Sequence, residues 1–146
     1  MIDTAFNSAC PTFPRNYPQS IKCLIRQSII NMKYYVESDD YSQYAFPALR
    51  ALEGHIKYLI TQTGITVGRS FDTFNKDAAG NYIFTAHISD ATAKNKIETC
   101  YNYYKAQRDT VFHFGDILGA TDNTRLIATK DEANEIIQKC ISLICE

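Results

Sequence analysis

Residues 20–36 read SIKCLIRQSIINMKYYV, and the choice between helix and strand for this chain is made there. Ile21, Leu24, Ile25, Ser28, Ile29, Met32, Tyr35 and Val36 recur at three and four residues, while Lys22, Arg26 and Lys33 fall off that stripe. A period near 3.6 residues buries one face of a helix and leaves its charges in water, whereas a half-buried strand alternates at every second residue. The stretch is an amphipathic helix.

Outward from it the same period returns three times. ESDDY (37–41) interrupts the first helix, and a second is expected from Ser42 to Thr63, with Leu49, Leu52, Ile56, Leu59 and Ile60 on its apolar face. Pro47 lies near its first turns, where a missing N–H costs least, and Gly64 stands just past its end. Residues 64–88 differ in kind, with turn residues around Ala79, Gly80 and Asn81 between β-branched and aromatic runs. They predict a long loop or short β-hairpin insertion between the second and third helices. The third helix begins near Ser89 or Asp90 and continues through KNKIETCYNYYKAQRDTVFHF until Gly115. After the loop GDILGATDNTRL, a fourth opens with Thr129 and Glu132 at capping-box spacing and carries Ile136, Ile137, Cys140, Ile141 and Ile144 on one stripe. Four principal helices predict an all-α, antiparallel four-helix bundle spanning 18–146. The first 17 residues, with Pro11 and Pro14 among aromatic residues and Pro18 just beyond, predict an irregular arm or a linker.

Composition narrows the function classes. A chain of 146 residues suits one domain, and ten Tyr and eight Phe with no Trp predict an aromatic-rich core. A formal net charge of −1 lacks the broad basic footprint of a non-specific duplex binder, so a nucleic-acid substrate needs a local basic site. The N-terminus has no basic start followed by an apolar run, and no apolar stretch approaches the length of a membrane span, so a cytoplasmic protein without membrane contact is expected. Cys10, Cys23, Cys100, Cys140 and Cys145 are odd in number and lack CxxC spacing, which predicts reduced free thiols and neither a structural metal nor a cofactor.

The chemistry-bearing segment is QRDTVFHFGD (107–116), which sets Arg108 and His113 among apolar and aromatic residues. At about 100° per residue the two stand roughly 140° apart on a straight helix and do not face each other. Asp109, four residues before His113, can hydrogen-bond its ring and fix the tautomer. Glu53, three residues after Arg50 on the second helix, meets the end of the third helix if the two pack antiparallel.

Arg108-Asp109-Thr110-Val111-Phe112-His113 resembles the Arg-x4-His motif of the HEPN superfamily of small helical domains. Within it, FPALRALEGHIKYLI (46–60) followed by a Gly-rich, aromatic insertion and CYNYYKAQRDTVFHFGD (100–116) looks like the C-terminal domain of the RnlA/LsoA-type toxins, over residues 18–145. That resemblance implies a toxin–antitoxin, anti-phage endoribonuclease acting on single-stranded RNA or mRNA without a metal. It implies catalytic roles for Arg108, His113, Glu53 and Arg50, a homodimer with a composite site, and a cognate or phage-encoded antitoxin as partner. HEPN toxins silenced by a nucleotidyltransferase that modifies a tyrosine carry Tyr two residues after the motif histidine; Gly115 stands there, so the resemblance does not extend to that control.

Histidine is able to take and give a proton near neutral pH, and arginine offers a planar charged fork to phosphate oxygens. On this reading His113 is the acid/base, Arg108 the phosphate clamp, and Glu53 orients one of them with Asp109 in support. Arg50 positions RNA or pairs with Glu53. His55, two residues after Glu53, does not share its face and is expected at the surface or a dimer contact, while His87 has no evident partner. Tyr101, Tyr103 and Tyr104 are able to stack unpaired bases but at helical spacing are expected in the core. Two other readings stay open: a catalytically silent dimerisation and antitoxin-docking domain of a larger toxin, and a nucleotide-binding helical module.

Overall fold

Each apolar stripe becomes a helix in the computed structural model, which describes residues 1–10, 12–71, 75–111 and 124–146. The α-helices among them are α1 (Ile2–Ala9), α2 (Gln19–Lys33), α3 (Ser42–Gln62), α4 (Ala91–Val111) and α5 (Lys130–Cys145), with one 3₁₀ turn at Phe84–His87. The starts of the later helices are capped as their sequences suggest. Asp90 Oδ1 accepts from the N–H groups of Thr92 and Ala93 at the head of α4, and Thr129 Oγ1 accepts from Glu132 N at the head of α5.

Helix α3 is central and packs against α2, α4 and α5. Ile21 of α2 lies against Gly54 of α3, where an added Cβ would come within 3.1 Å of Ile21, while Asn31 Nδ2 donates to the Tyr44 carbonyl at 3.0 Å. Residue numbers that rise along α2 thus meet numbers that fall along α3, so the two run antiparallel. The same test applies to α3 and α4: Tyr104 reaches Glu53, and Ala93 and Lys96 share a cavity wall with Leu59 and Gln62. Between α4 and α5, Cys100 Sγ lies 3.8 Å from the Leu143 carbonyl and Arg125 bridges Gln107 to Glu132. The four long helices therefore alternate in direction. Their shared interior is aliphatic, with Ile25, Leu49, Leu52, Ile56, Ile60, Ile97, Ile127 and Ile137 almost wholly buried.

Asp40 ties the head of α3 to the segment before α5: its Oδ1 accepts from Ser42 N, Ser42 Oγ and Ile127 N. Burial opposes ionisation there, but the Ser42 and Ile127 hydrogen bonds outweigh it and hold the carboxyl below its ordinary pKa. No helix among the described residues is long and apolar enough to cross a membrane.

Several expectations are corrected. The N-terminal arm is not irregular throughout: residues 2–9 precede the first proline and form α1, whose Phe6 packs on the core and whose Asp3 pairs with Arg26 of α2. Helix α2 stops at Lys33, before the end of its apolar stripe, and Tyr34, Tyr35 and Val36 continue as exposed, extended chain held through Val36 N to the Tyr44 hydroxyl. No strand forms in the insertion among the described residues. Gly80, at φ +83°, closes a turn with one antiparallel bridge from Lys76 to Tyr82, and pairing ends where the chain enters its 3₁₀ turn. The thiols are not all free: Cys10 and Cys145, with Cα atoms 5.2 Å apart, form a disulfide that ties the segment after α1 to the end of α5.

His55 is the plainest correction. It is 4% exposed, its Nδ1 is 2.8 Å from the Tyr17 hydroxyl, and its ring stacks near Tyr58. Spacing relative to Glu53 correctly separated the two faces, but the face opposite Glu53 is covered by Tyr17 of the segment between α1 and α2. Burial, with Lys96 nearby, lowers its pKa to about 4. The unfolded chain binds this proton at pH 6.5 and the folded chain does not, so stability is full above pH 6.5 and falls as pH drops towards 4. A His55→Gln variant should lose that acid sensitivity; urea unfolding at pH 7 and pH 4.5 should show the parent losing about 2.4 kcal/mol more than the variant across this window.

Candidate functional site

The antiparallel packing of α3 and α4 brings Glu53 to the C-terminal half of α4. Tyr101, Tyr104, Lys105 and Arg108 lie at i, i+3, i+4 and i+7 and share one face there. Opposite them, residues 69–71 descend from the insertion. Glu53, Arg69, Ser70, Phe71, Tyr101, Tyr104, Lys105, Arg108 and Asp109 enclose a cleft of about 420 Å³. Three cations and two carboxylates line it, in a chain whose net charge is −1. The local basic site that the composition required is present.

Both oxygens of Glu53 are engaged. Oε1 accepts from Lys57 Nζ at 2.8 Å and Oε2 from the Tyr104 hydroxyl at 3.0 Å. Burial, and then the charge of Glu53 beside it, pushes the Tyr104 phenol well above its ordinary pKa. Tyr104 therefore stays protonated and remains a donor. Lys57 also donates to the Arg69 carbonyl at 3.0 Å, so one ammonium joins Glu53 to the insertion. Phe71 completes the wall, its ring edge-on to Tyr101 at 5.5 Å and to Tyr104 at 5.6 Å, with Lys57 Nζ 5.1 Å from its centre.

Of the residues singled out from the sequence, Glu53, Arg108 and Asp109 share this cleft. Arg108 and Asp109 form an ion pair at 3.6 Å, with side chains 48% and 46% exposed, so the guanidinium is open to a ligand. Arg50 is exposed on α3 one turn before Glu53, makes no ion pair with it, and is absent from the cleft lining. His113 lies outside the described residues. His87 belongs to a different cavity of about 360 Å³, with Leu59, Gln62, Lys96 and Ile97. No cluster of three or more His, Cys, Asp or Glu side chains able to hold a metal occurs among the described residues.

Sequence reasoning missed Lys57, Lys105, Arg69 and Phe71; for Tyr104 it favoured the core over base stacking, and Tyr104 is in the core, with its hydroxyl reaching Glu53. Lys57 carried a readable signal, the i,i+4 spacing from Glu53. Lys105 carried another, one turn before Arg108 beside the tyrosines. Arg69 and Phe71 carried none, because the fold of an insertion is not set by period.

Residues 1–115 match the family described as "RNase LS, bacterial toxin DBD domain". The chain belongs to this family. The match includes α1 to α4 and the positions of Arg50, Glu53, Arg108 and His113, and leaves α5 outside. The chain is also similar to the mRNA endoribonuclease LsoA of Escherichia coli O157:H7, at 28% identity over 117 residues, covering 77% of this chain and 34% of LsoA. It thus spans about a third of the length of that curated relative. An RnlA/LsoA-type toxin relationship is thereby established for the chain.

The Glu53–Tyr104 bond joins the two cleft helices and is open to direct measurement. In a double-mutant cycle with Tyr104→Phe and Glu53→Gln, urea unfolding should give a coupling energy of about 1 kcal/mol, with Tyr104→Phe alone costing about the same.

Proposed function

We propose that this chain is the RNA-cutting domain of an RnlA/LsoA-type toxin: a HEPN-like four-helix bundle, formed by α2 to α5, that cleaves single-stranded RNA or mRNA without a metal. The observation that carries the reading is the meeting of Glu53 and Arg108 in one cationic cleft, in a chain that carries the Arg108-x4-His113 spacing and belongs to a family described as the DBD domain of the RNase LS bacterial toxin. The similar LsoA is an mRNA endoribonuclease, which supports the same reaction class.

In this reaction the 2′-hydroxyl attacks the adjacent phosphorus and the bond to the 5′-oxygen breaks, leaving a cyclic phosphate and a 5′-hydroxyl. His113 accepts the 2′ proton or donates one to the leaving oxygen. Arg108 holds the non-bridging oxygens as negative charge builds. Glu53, with both oxygens held by Lys57 and Tyr104, sets the field in which Arg108 sits. Arg50 positions the RNA from the exposed side of α3, with Asp109 supporting either Arg108 or His113.

One histidine and one arginine are sparse for a proton acceptor, a proton donor and a phosphate clamp. A two-fold homodimer with its cleft at the interface supplies two copies of each group, and two-fold dimers are the commonest oligomers. The cognate or phage-encoded antitoxin is then a protein that plugs the cleft, its acidic groups matched to the cationic wall, and the anti-phage system operates in the cytoplasm.

The test is cleavage of a labelled single-stranded RNA in excess EDTA, with oligomeric state followed by light scattering. The parent should be dimeric and active. His113→Ala should lose at least about a hundredfold in rate while remaining folded and dimeric, and Arg108→Ala a comparable amount. Equal cleavage by parent and His113→Ala would assign the activity elsewhere. A folded parent that binds its antitoxin and cuts nothing would favour the docking-domain reading.

A further inference from the structure

We infer that Arg69 and Lys105 form a second phosphate-binding subsite beside Arg108, through which the insertion acts as a guide for the RNA backbone. The inference rests on the ribonuclease reading and assigns a role to residues that neither the motif nor the family match singles out.

Three observations carry it. First, the insertion is not loosely appended at this point. Lys57 Nζ holds the Arg69 carbonyl at 3.0 Å while it pairs with Glu53, and Phe71 packs edge-on against both cleft tyrosines. Second, those contacts place an exposed arginine on the wall facing α4, where Lys105 and Arg108 stand one turn apart on a single helix face. Third, Glu53 is already held by Lys57 and Tyr104, and Asp109 lies 3.6 Å from Arg108 in a half-exposed pair. Arg69 and Lys105 are exposed, have no carboxylate partner among the described residues, and both line the cleft.

The arrangement is a row of cations along an open cleft with aromatic rings at its floor. Cations of this kind follow the phosphates of a single-stranded backbone, and the buried tyrosines beneath them hold the wall in place. A chain with Arg108 at the scissile phosphate needs a further grip on a neighbouring phosphate to hold its substrate in line, and Arg69 and Lys105 stand where that grip would be. They act as positioning residues; the reacting atoms belong to Arg108 and His113.

The experiment compares the 146-residue chain with Arg69→Ala, Arg69→Lys and Lys105→Ala, using a labelled single-stranded oligoribonucleotide and a dinucleotide. Arg69→Ala keeps the carbonyl that holds Lys57, so the insertion stays docked; thermal unfolding verifies this. Each alanine variant should raise KM for the longer strand about fivefold, with a smaller change in kcat, and narrow the longer strand's advantage over the dinucleotide. Arg69→Lys should recover most of the loss. In filter binding, the slope of log K against log salt should fall by about 0.7 for each alanine variant, as one lost single-strand phosphate contact requires.

An unchanged KM and salt slope in folded Arg69→Ala and Lys105→Ala, with a parent that binds and cuts RNA, would overturn the subsite and leave the ribonuclease reading intact. A parent that neither binds nor cuts the oligoribonucleotide would overturn both. Tighter binding of poly-glutamate than of RNA, lost on Arg69→Ala, would overturn the subsite and give these cations to an acidic protein partner.

Discussion

Helix α3 has to be buried on most of its circumference, and the rest of the molecule answers that constraint. Ala45, Ala48, Leu49, Ala51, Leu52, Ile56 and Ile60 are all buried, and α2, α4 and α5 each pack against it. Small residues make the close approach possible: Gly54 leaves room for Ile21, and the alanines near the start of α3 leave room for neighbouring helices. A central helix of this kind has little tolerance for charge. Glu53 is the acidic side chain it carries, and it sits at the seam with α4, where Lys57 and Tyr104 satisfy both of its oxygens.

The cleft is a consequence of that satisfaction. To reach Glu53, Tyr104 must face α3, and the same face of α4 then carries Tyr101, Lys105 and Arg108 into the space beside it. To cover Lys57, the insertion must come down over the seam, and it brings Arg69 and Phe71 with it. A structural need, pairing one carboxylate at a helix seam, thus assembles the cationic and aromatic wall on which the proposed reaction depends. The arrangement also explains why Glu53 and Arg108 occur together without touching: Glu53 is anchored by other donors, which leaves the guanidinium open.

The termini show the same dependence of local structure on packing. Helix α1 has only eight residues, too few for a stable isolated helix, and it is held by the Asp3–Arg26 pair, by Phe6 and Phe13 packing towards Tyr17, and by the Cys10–Cys145 link that follows it. Tyr17 then carries this cluster onto His55. The residues before α2 thereby seal the side of α3 opposite the cleft, which leaves the Glu53 side as the polar opening on the central helix.

By itself the sequence determined the four long helices, because a 3.6-residue period of apolar side chains, with Thr129 and Asp90 at the caps, leaves no other way to separate oil from charge. It also offered Arg50, Glu53, Arg108 and His113 as candidates, through the resemblance that the Arg108-x4-His113 spacing carries, and of these the cleft lining holds Glu53 and Arg108. The tertiary structure alone decided what was buried at His55, which depends on a segment distant in sequence, and where the insertion lies. It alone paired Glu53 with Tyr104, paired Cys10 with Cys145 and put Arg69 beside Lys105. These contacts join residues far apart along the chain, and no periodicity records a contact whose two sides meet only after the helices have packed.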